Sequence, residues 1–178
     1  MKKNIIIIGS GGHARSIIEL IESTNQWDII GLIGLKNELN KKVMGYEVIG
    51  TDEDLKDLRK NYFNCFIAIG QIKNYQKRVN ISNKLKNLKF NMPSIYASSS
   101  VVSKYALIKS GVSVGHGAII NSNAVVGENC IINTNAVIEH DSEICDFCHI
   151  STGVLINGGV KIGKQSFIGS GAIIRENI

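Results

Sequence analysis

Proline and tryptophan occur once each in these 178 residues, as Pro93 and Trp27. Turns must therefore be made largely without proline, and 18 glycines are present to make them. Aromatic residues are scarce, and the basic stretches are not interleaved with them, which argues against a nucleic-acid stacking platform. Long hydrophobic runs are missing too. Near the start the longest is Ile5–Ile8, far too short for a signal-peptide core or a membrane span. A cytoplasmic location without membrane insertion is the expectation. In that setting Cys65, Cys130, Cys145 and Cys148 read as reduced thiols rather than a disulfide framework.

What is present divides into two halves. Residues 1–92 hold 15 Lys/Arg against 9 Asp/Glu, whereas residues 93–178 hold 5 against 6. The basic excess of the first half suits a solvated face, or a field that attracts small phosphorylated anions.

The first half alternates between strand and helix patterns. Lys3–Ile8 is a β-branched run ending at Gly9, as in a buried parallel strand. Ala14–Ser23 carries Ile17, Ile18, Leu20 and Ile21 at helical spacing. Asp28–Ile33 reads as a second strand, and Thr51 as the cap of a helix through Lys60, with Asp54 three residues on as the capping-box acid. Asn64–Ile69 is a third strand before Gly70, and Tyr75–Leu88 a second amphipathic helix. Such alternation predicts a small parallel sheet in an α/β, Rossmann-like domain over residues 1–92.

From Pro93 the pattern changes. Val or Ile stands at every sixth position from Val102 to Ile174, thirteen times without a gap. Two residues before each lies a small or medium residue, from Ser100 and Ala106 through Cys130, Ser142 and Cys148 to Ala172. A period of six fits neither an amphipathic helix nor a hairpin sheet. It fits a hexapeptide parallel β-helix, three hexads to a coil, over residues 93–178. Each stacked Ile contributes about 1.5–3 kcal/mol on burial, so a register slip is penalised at every coil. In this frame Cys145-x-x-Cys148 is structural: Cys148 falls in the small column, and no second pair completes a zinc site. No metal is expected.

At the front, Gly9-x-Gly11-x-x-Ala14 satisfies a relaxed dinucleotide fingerprint with free N–H groups at a helix start. An NAD enzyme needs an acid after the second strand for the ribose hydroxyls, and Gly34 and Leu35 stand there instead.

The motifs "GSGGHA", "VIEHD" and "CHIS", set in these two halves, resemble the hexapeptide-repeat sugar acetyltransferases. That family joins a small Rossmann-like domain to a left-handed β-helix. It includes N-acetyltransferases of UDP-linked 4-amino sugars and O-acetyltransferases of sialic acids. The resemblance implies an acetyl-CoA-dependent acetyltransferase of surface glycan biosynthesis, acting on a sugar or a nucleotide-linked amino sugar. It also implies a homotrimer with acetyl-CoA in the groove between adjacent coils. A sialic or nonulosonic acid O-acetyltransferase is one alternative. Because the chain stops at Ile178 still in repeat register, a truncated coil and a non-catalytic trimeric binder with an incomplete CoA site is another.

Acetyl transfer from a thioester needs a base for the attacking amine or hydroxyl and a donor for the oxyanion. Imidazole suits the first task. His140 lies two residues past anchor Ile138, near a corner where it can face a groove. Asp141 beside it is placed to hold its tautomer, with Glu139 as the other candidate partner. By resemblance, His140 is the base and Asp141 its partner. The resemblance likewise matches His149, Gly158 and Ser170 to acetyl-CoA contacts, and Asn133 to the acceptor site. Gly11, Gly12, His13 and Gly70 match sugar-nucleotide contacts. The usual acid pair of UDP-sugar members is absent at Gly34 and Leu35, which leaves the carrier nucleotide open. His116 reads as a surface corner residue.

Overall fold

The computed structural model describes residues 2–72 and 74–178. The chain forms two compact units, one made of Met1–Gly70 with Gln76–Pro93, the other of Gln71–Tyr75 with Ser94–Ile178.

The first unit is an α/β fold. Strands β1 (Lys3–Ile8), β2 (Trp27–Ile33), β3 (Lys42–Val43), β4 (Tyr46–Gly50) and β5 (Cys65–Ile67) form one sheet in the order β3-β4-β2-β1-β5. All neighbours are parallel except β3 and β4. Ile5–Ile8 are fully buried because β1 is central and covered on both faces. Helix α1 (Gly12–Thr24) buries Ala14, Ile17, Ile18, Leu20 and Ile21, the stripe read from the sequence. It ends at Asn25, whose left-handed backbone (φ 55°) supplies the C-cap.

The structure differs from the sequence reading after Thr51 and between β2 and Thr51, where β3, β4 and a 3₁₀ turn at Lys36–Glu38 were not read. The Thr51–Asp54 capping contacts form, with Thr51 N–H donating to Asp54 Oδ2 at 2.8 Å. The α-helix they precede, α2, covers only Leu55–Leu58. One buried leucine, Leu55, is too small an apolar stripe to hold a longer helix. Strand β4 was not expected, because "YEVIG" is short and flanked by glycines. It gains its place by pairing with β2 through Leu32 and Ile33. Helix α3 (Gln76–Asn87) completes the unit.

The second unit is the six-residue coil. Fourteen two-residue strands, β6 (Ile95–Tyr96) to β19 (Ile173–Ile174), stack in parallel into three sheets. Ladder partners lie 18 residues apart, as in Ile119↔Val137↔Leu155, so each coil is three hexads. The anchors point inward: Ile120, Ile132, Ile138, Ile144, Ile150 and Ile156 are each 0% exposed.

The small column has a further use. Its side chains lie inside the prism at the corners, and those in the middle of the coil that carry a hydrogen cap a carbonyl 15 residues on, whereas Ser100 and Ser166 donate to the carbonyl three residues before them. Cys130 Sγ donates to Cys145 O at 3.0 Å, Ser142 Oγ to Asn157 O at 2.9 Å and Cys148 Sγ to Gly163 O at 3.0 Å. The turning itself is done one residue earlier. From Gly111 to Asn177 every sixth residue has a positive φ, and most of these are Gly, Asn or Asp. Phe147 (φ 57°) and Gln165 (φ 64°) are the exceptions.

Candidate active site

His140 and Asp141 occupy the corner after β13 (Val137–Ile138). Asp141 is one of the left-handed turn residues (φ 61°), and this conformation aims its carboxylate back at its neighbour. His140 Nδ1 lies 2.7 Å from Asp141 Oδ2. A carboxylate only accepts, so Nδ1 carries the hydrogen and the lone pair is left on Nε2. Among the described residues Nε2 has no hydrogen-bond partner. The other carboxylate oxygen, Oδ1, accepts from Asn123 Nδ2 at 2.7 Å. Asn123, Asp141 and His140 thus form a chain that fixes the ring. Glu139 is engaged elsewhere, accepting from Asn121 Nδ2 at 2.9 Å.

The electrostatics follow this chain. The hydrogen bond to Asp141 raises the His140 pKa, against an opposing desolvation. Asn123, then His140, hold the Asp141 carboxyl below its usual range. One coil on, Gly158 lies against the ring. A Cβ at that position would stand 2.8 Å from His140 Cε1 and 2.9 Å from Nε2. The imidazole occupies the space that a side chain would need.

A second cluster surrounds His149, which begins strand β15 (His149–Ile150) rather than turning a corner. It is 7% exposed. Its Nδ1 is 2.6 Å from the Gln71 carbonyl, so this nitrogen is also the protonated one. Nε2 faces Asn133 Nδ2 at 3.4 Å, while Asn133 Oδ1 accepts from Thr134 N–H at 2.8 Å. The Phe167 ring meets His149 edge-on at 5.1 Å. Gln71 also donates from Nε2 to Phe147 O at 2.6 Å, at the bulky residue held in the left-handed region. Ser170 pairs with Ser151 through their hydroxyls at 2.9 Å. His116 hydrogen-bonds Ser99 Oγ through Nδ1 at 2.8 Å.

The glycine loop lies in the α/β unit, between β1 and α1. Gly9 (φ +120°) is required twice over, since a Cβ there would also meet Ala68 O at 2.9 Å. Gly11 and Gly12 are different: nothing lies within 4 Å of a Cβ at either. No internal packing demands glycine at these two positions, and α1 has no side-chain cap. His13 stands in the first turn of α1, and a Cβ on Gly70 would be 3.5 Å from the His13 Cβ.

The four cysteines are free thiols, and no group of three or more metal-ligating side chains occurs among the described residues. Burial pushes the Cys65 thiol up to about 12, which makes it inert. No described helix is long and apolar enough to cross a membrane.

Sequence reasoning gave no site role to three residues. Asn123 was findable, because it precedes Asp141 by 18 residues, one full coil. Gln71 was not, because its contacts join positions more than 70 residues apart. The third is Glu38, whose carboxylate folds back over Gly34 at the end of β2.

Residues 4–85 match the family model described as PglD N-terminal domain, and residues 123–158 match bacterial transferase hexapeptide (six repeats). No curated protein sequence matches significantly. Among solved structures, the acetyltransferase domain of PglB from Neisseria gonorrhoeae FA1090, in complex with acetyl coenzyme A, is 30% identical. The match covers 99% of this chain and 84% of that one, with a TM-score of 0.90. PerB from Caulobacter crescentus, in complex with CoA and GDP-perosamine, is 26% identical over 98% of this chain and 90% of that one, with a TM-score of 0.81. A histidine-to-asparagine variant of perosamine N-acetyltransferase from Caulobacter crescentus, with the same two ligands, is 26% identical over the same shares, with a TM-score of 0.85. With both halves matched and the likeness running almost end to end, the chain belongs to the hexapeptide-repeat sugar acetyltransferases that carry a PglD-type N-terminal domain.

Proposed function

We propose that the protein transfers the acetyl group of acetyl-CoA to the amine of a nucleotide-linked amino sugar, with His140 as general base and Asp141 as its partner. The observation that carries this reading is the His140 ring itself, held by Asp141 at Nδ1, seated on Gly158 and unengaged at Nε2. As the amine nitrogen attacks the thioester carbonyl, Nε2 takes its proton. When the C–S bond breaks, the proton passes to the departing sulfur, so free CoA and an N-acetyl sugar are the products. The Gly158 N–H makes no hydrogen bond among the described residues, and it suits the developing oxyanion.

His149 takes a different part. With Nδ1 donating to Gln71 O, a neutral His149 offers only an acceptor at Nε2. It therefore suits an N–H of the donor's pantetheine arm or the amide of Asn133, rather than the thioester oxygen. The α/β unit would bind the nucleotide through Gly11, Gly12, His13 and Gly70, with Asn133 at the acceptor sugar and Ser170 near the CoA arm. The GDP-perosamine bound by PerB supports an amino-sugar acceptor over a sialic acid hydroxyl. Four reduced thiols fit a cytoplasmic enzyme.

The test is a free-thiol release assay with acetyl-CoA and a panel of GDP- and UDP-linked 4-amino sugars. Turnover with one of them and none with the corresponding N-acetylated sugar is the expected outcome. Failure to bind acetyl-CoA at millimolar concentration would sink the proposal.

A homotrimer is part of the same reading. On the sheet built from β7, β10, β13, β16 and β19, the outward residues are Val101, Ile119, Val137, Leu155 and Ile173, aliphatic without exception. The sheet built from β8, β11, β14 and β17 instead turns a Glu143–Lys161 ion pair outward at 2.7 Å. An unbroken aliphatic ladder in water favours burial against another copy. Leu155→Glu in its middle is therefore expected to shift the mass measured by light scattering from three chains to one. An unchanged mass would exclude this face.

A further inference from the structure

We infer that Glu38 is a specificity-determining residue for the nucleotide end of the substrate, its Oε1 accepting a hydrogen bond from a ribose hydroxyl. The inference rests on the nucleotide-linked substrate proposed above.

In an open parallel sheet, ligands bind beyond the carboxyl ends of the strands, and an acid following the second strand reaches the ribose. Here β1 and β2 end side by side: Ile8 pairs with Ile33, and Gly9 N–H donates to Ile33 O at 2.8 Å. The two residues after β2, Gly34 and Leu35, carry no charge. A short 3₁₀ turn, Lys36–Glu38, then brings a carboxylate back to the same spot. A Cβ on Gly34 would stand 2.9 Å from Glu38 Oε2 and 2.9 Å from Ser10 Oγ, so the glycine leaves room for both.

The carboxylate is anchored through one oxygen only. Oε2 accepts from Ser10 Oγ at 2.7 Å and from Leu35 N–H at 2.7 Å. These two bonds hold the carboxyl below its usual range, so it is ionised and can only accept. Oε1 has no partner among the described residues.

Ser10 belongs to the loop of Gly9, Gly11 and Gly12 that opens α1. The carboxylate is thereby tied to the loop where an anionic diphosphate would sit, yet its own charge repels phosphate. Hydroxyl hydrogens are what it can take, and the ribose supplies them next to the diphosphate. With a single oxygen to offer, it receives one hydroxyl rather than chelating the diol.

The alternative is that Glu38 merely closes its own turn through Leu35. Calorimetric titration of the full chain with UDP and GDP, and with their 2′-deoxy and 3′-deoxy forms, separates the two. The better ribonucleotide is expected to bind wild type about 10-fold more tightly than one of its deoxy forms, the size of one hydrogen bond to a charged acceptor. In Glu38→Ala that preference is expected to vanish, because only the ribonucleotide loses affinity. Glu38→Gln, whose carbonyl can still accept from Ser10 and Leu35, is expected to keep the loop and lose most of the preference. A ribose preference that persists in both variants overturns the assignment. So does an equal loss for ribo and deoxy forms, which would place the effect on the base or the loop. If neither nucleotide binds wild type, the nucleotide-linked reading fails with it, whereas binding indifferent to Glu38 leaves that reading standing.

Discussion

His140→Ala is expected to lower kcat by about 10²–10⁴, the usual contribution of a positioned general base, while acetyl-CoA binding by calorimetry stays within a few-fold of wild type. His140 is 65% exposed at its side chain, where it meets Asp141 and lies against Gly158, so its removal leaves the coil intact. The pH profile gives a second reading. Acting as a base requires the neutral ring, so the rate falls as pH drops through the His140 pKa. Asp141 raises that pKa, and the acidic limb of kcat/KM should lie above the ordinary imidazole value of about 6.5. Asp141→Asn removes the cause of the rise, so the limb should move to lower pH while the plateau falls with the weaker base. Asn123→Ala, which frees one oxygen of Asp141, should have the same signs and a smaller size. Full activity of His140→Ala would remove the base assignment, and an acidic limb unmoved by Asp141→Asn would remove the partner.

Much of this was legible before any coordinates, for physical reasons that differ between the halves. A coil repeats one environment at every sixth residue, so Val102 to Ile174 announce the prism through their spacing alone, and the same frame places His140 near a corner. The frame also contained more than was read from it. The left-handed turn column, Gly111 to Asn177, is as regular as the anchors, and Asn123 stacks on Asp141 by the same rule of 18. The frame likewise sets His149 on a strand, because its place one residue before anchor Ile150 is an outward strand position.

The α/β unit has no such repeat. Strand β4 exists through pairing with β2, and α2 is short through want of apolar contacts; neither shows in local propensity. Glu38 was hidden for a related reason. An acid directly after the second strand is a sequence pattern, whereas one delivered by a 3₁₀ turn over Gly34 is visible only once the turn is folded.

Gly158→Ala is expected to reduce kcat by about 10²-fold with little change in thermal stability, since a misplacement of about 1 Å at a reacting group has that effect. The contrast with another glycine of the coil explains the prediction. A Cβ on Gly127 would lie 2.6 Å from the Asp146 backbone nitrogen and 2.7 Å from the Cys145 carbonyl carbon. Backbone cannot retreat there without breaking a rung, so alanine at that position attacks the fold. At Gly158 the nearest atoms belong to the end of an exposed side chain, which can swing away. The ring then leaves either its hydrogen bond to Asp141 or the line of attack on the thioester, while the N–H of residue 158 is retained. If Gly158 acts through His140 in this way, the two substitutions are not additive: the double variant should be no slower than His140→Ala alone. Multiplying effects would instead mean that Gly158 serves the reaction by its own contact with the donor. Undiminished kcat in Gly158→Ala would show that the ring tolerates displacement, and that its seat on this glycine has no part in the chemistry.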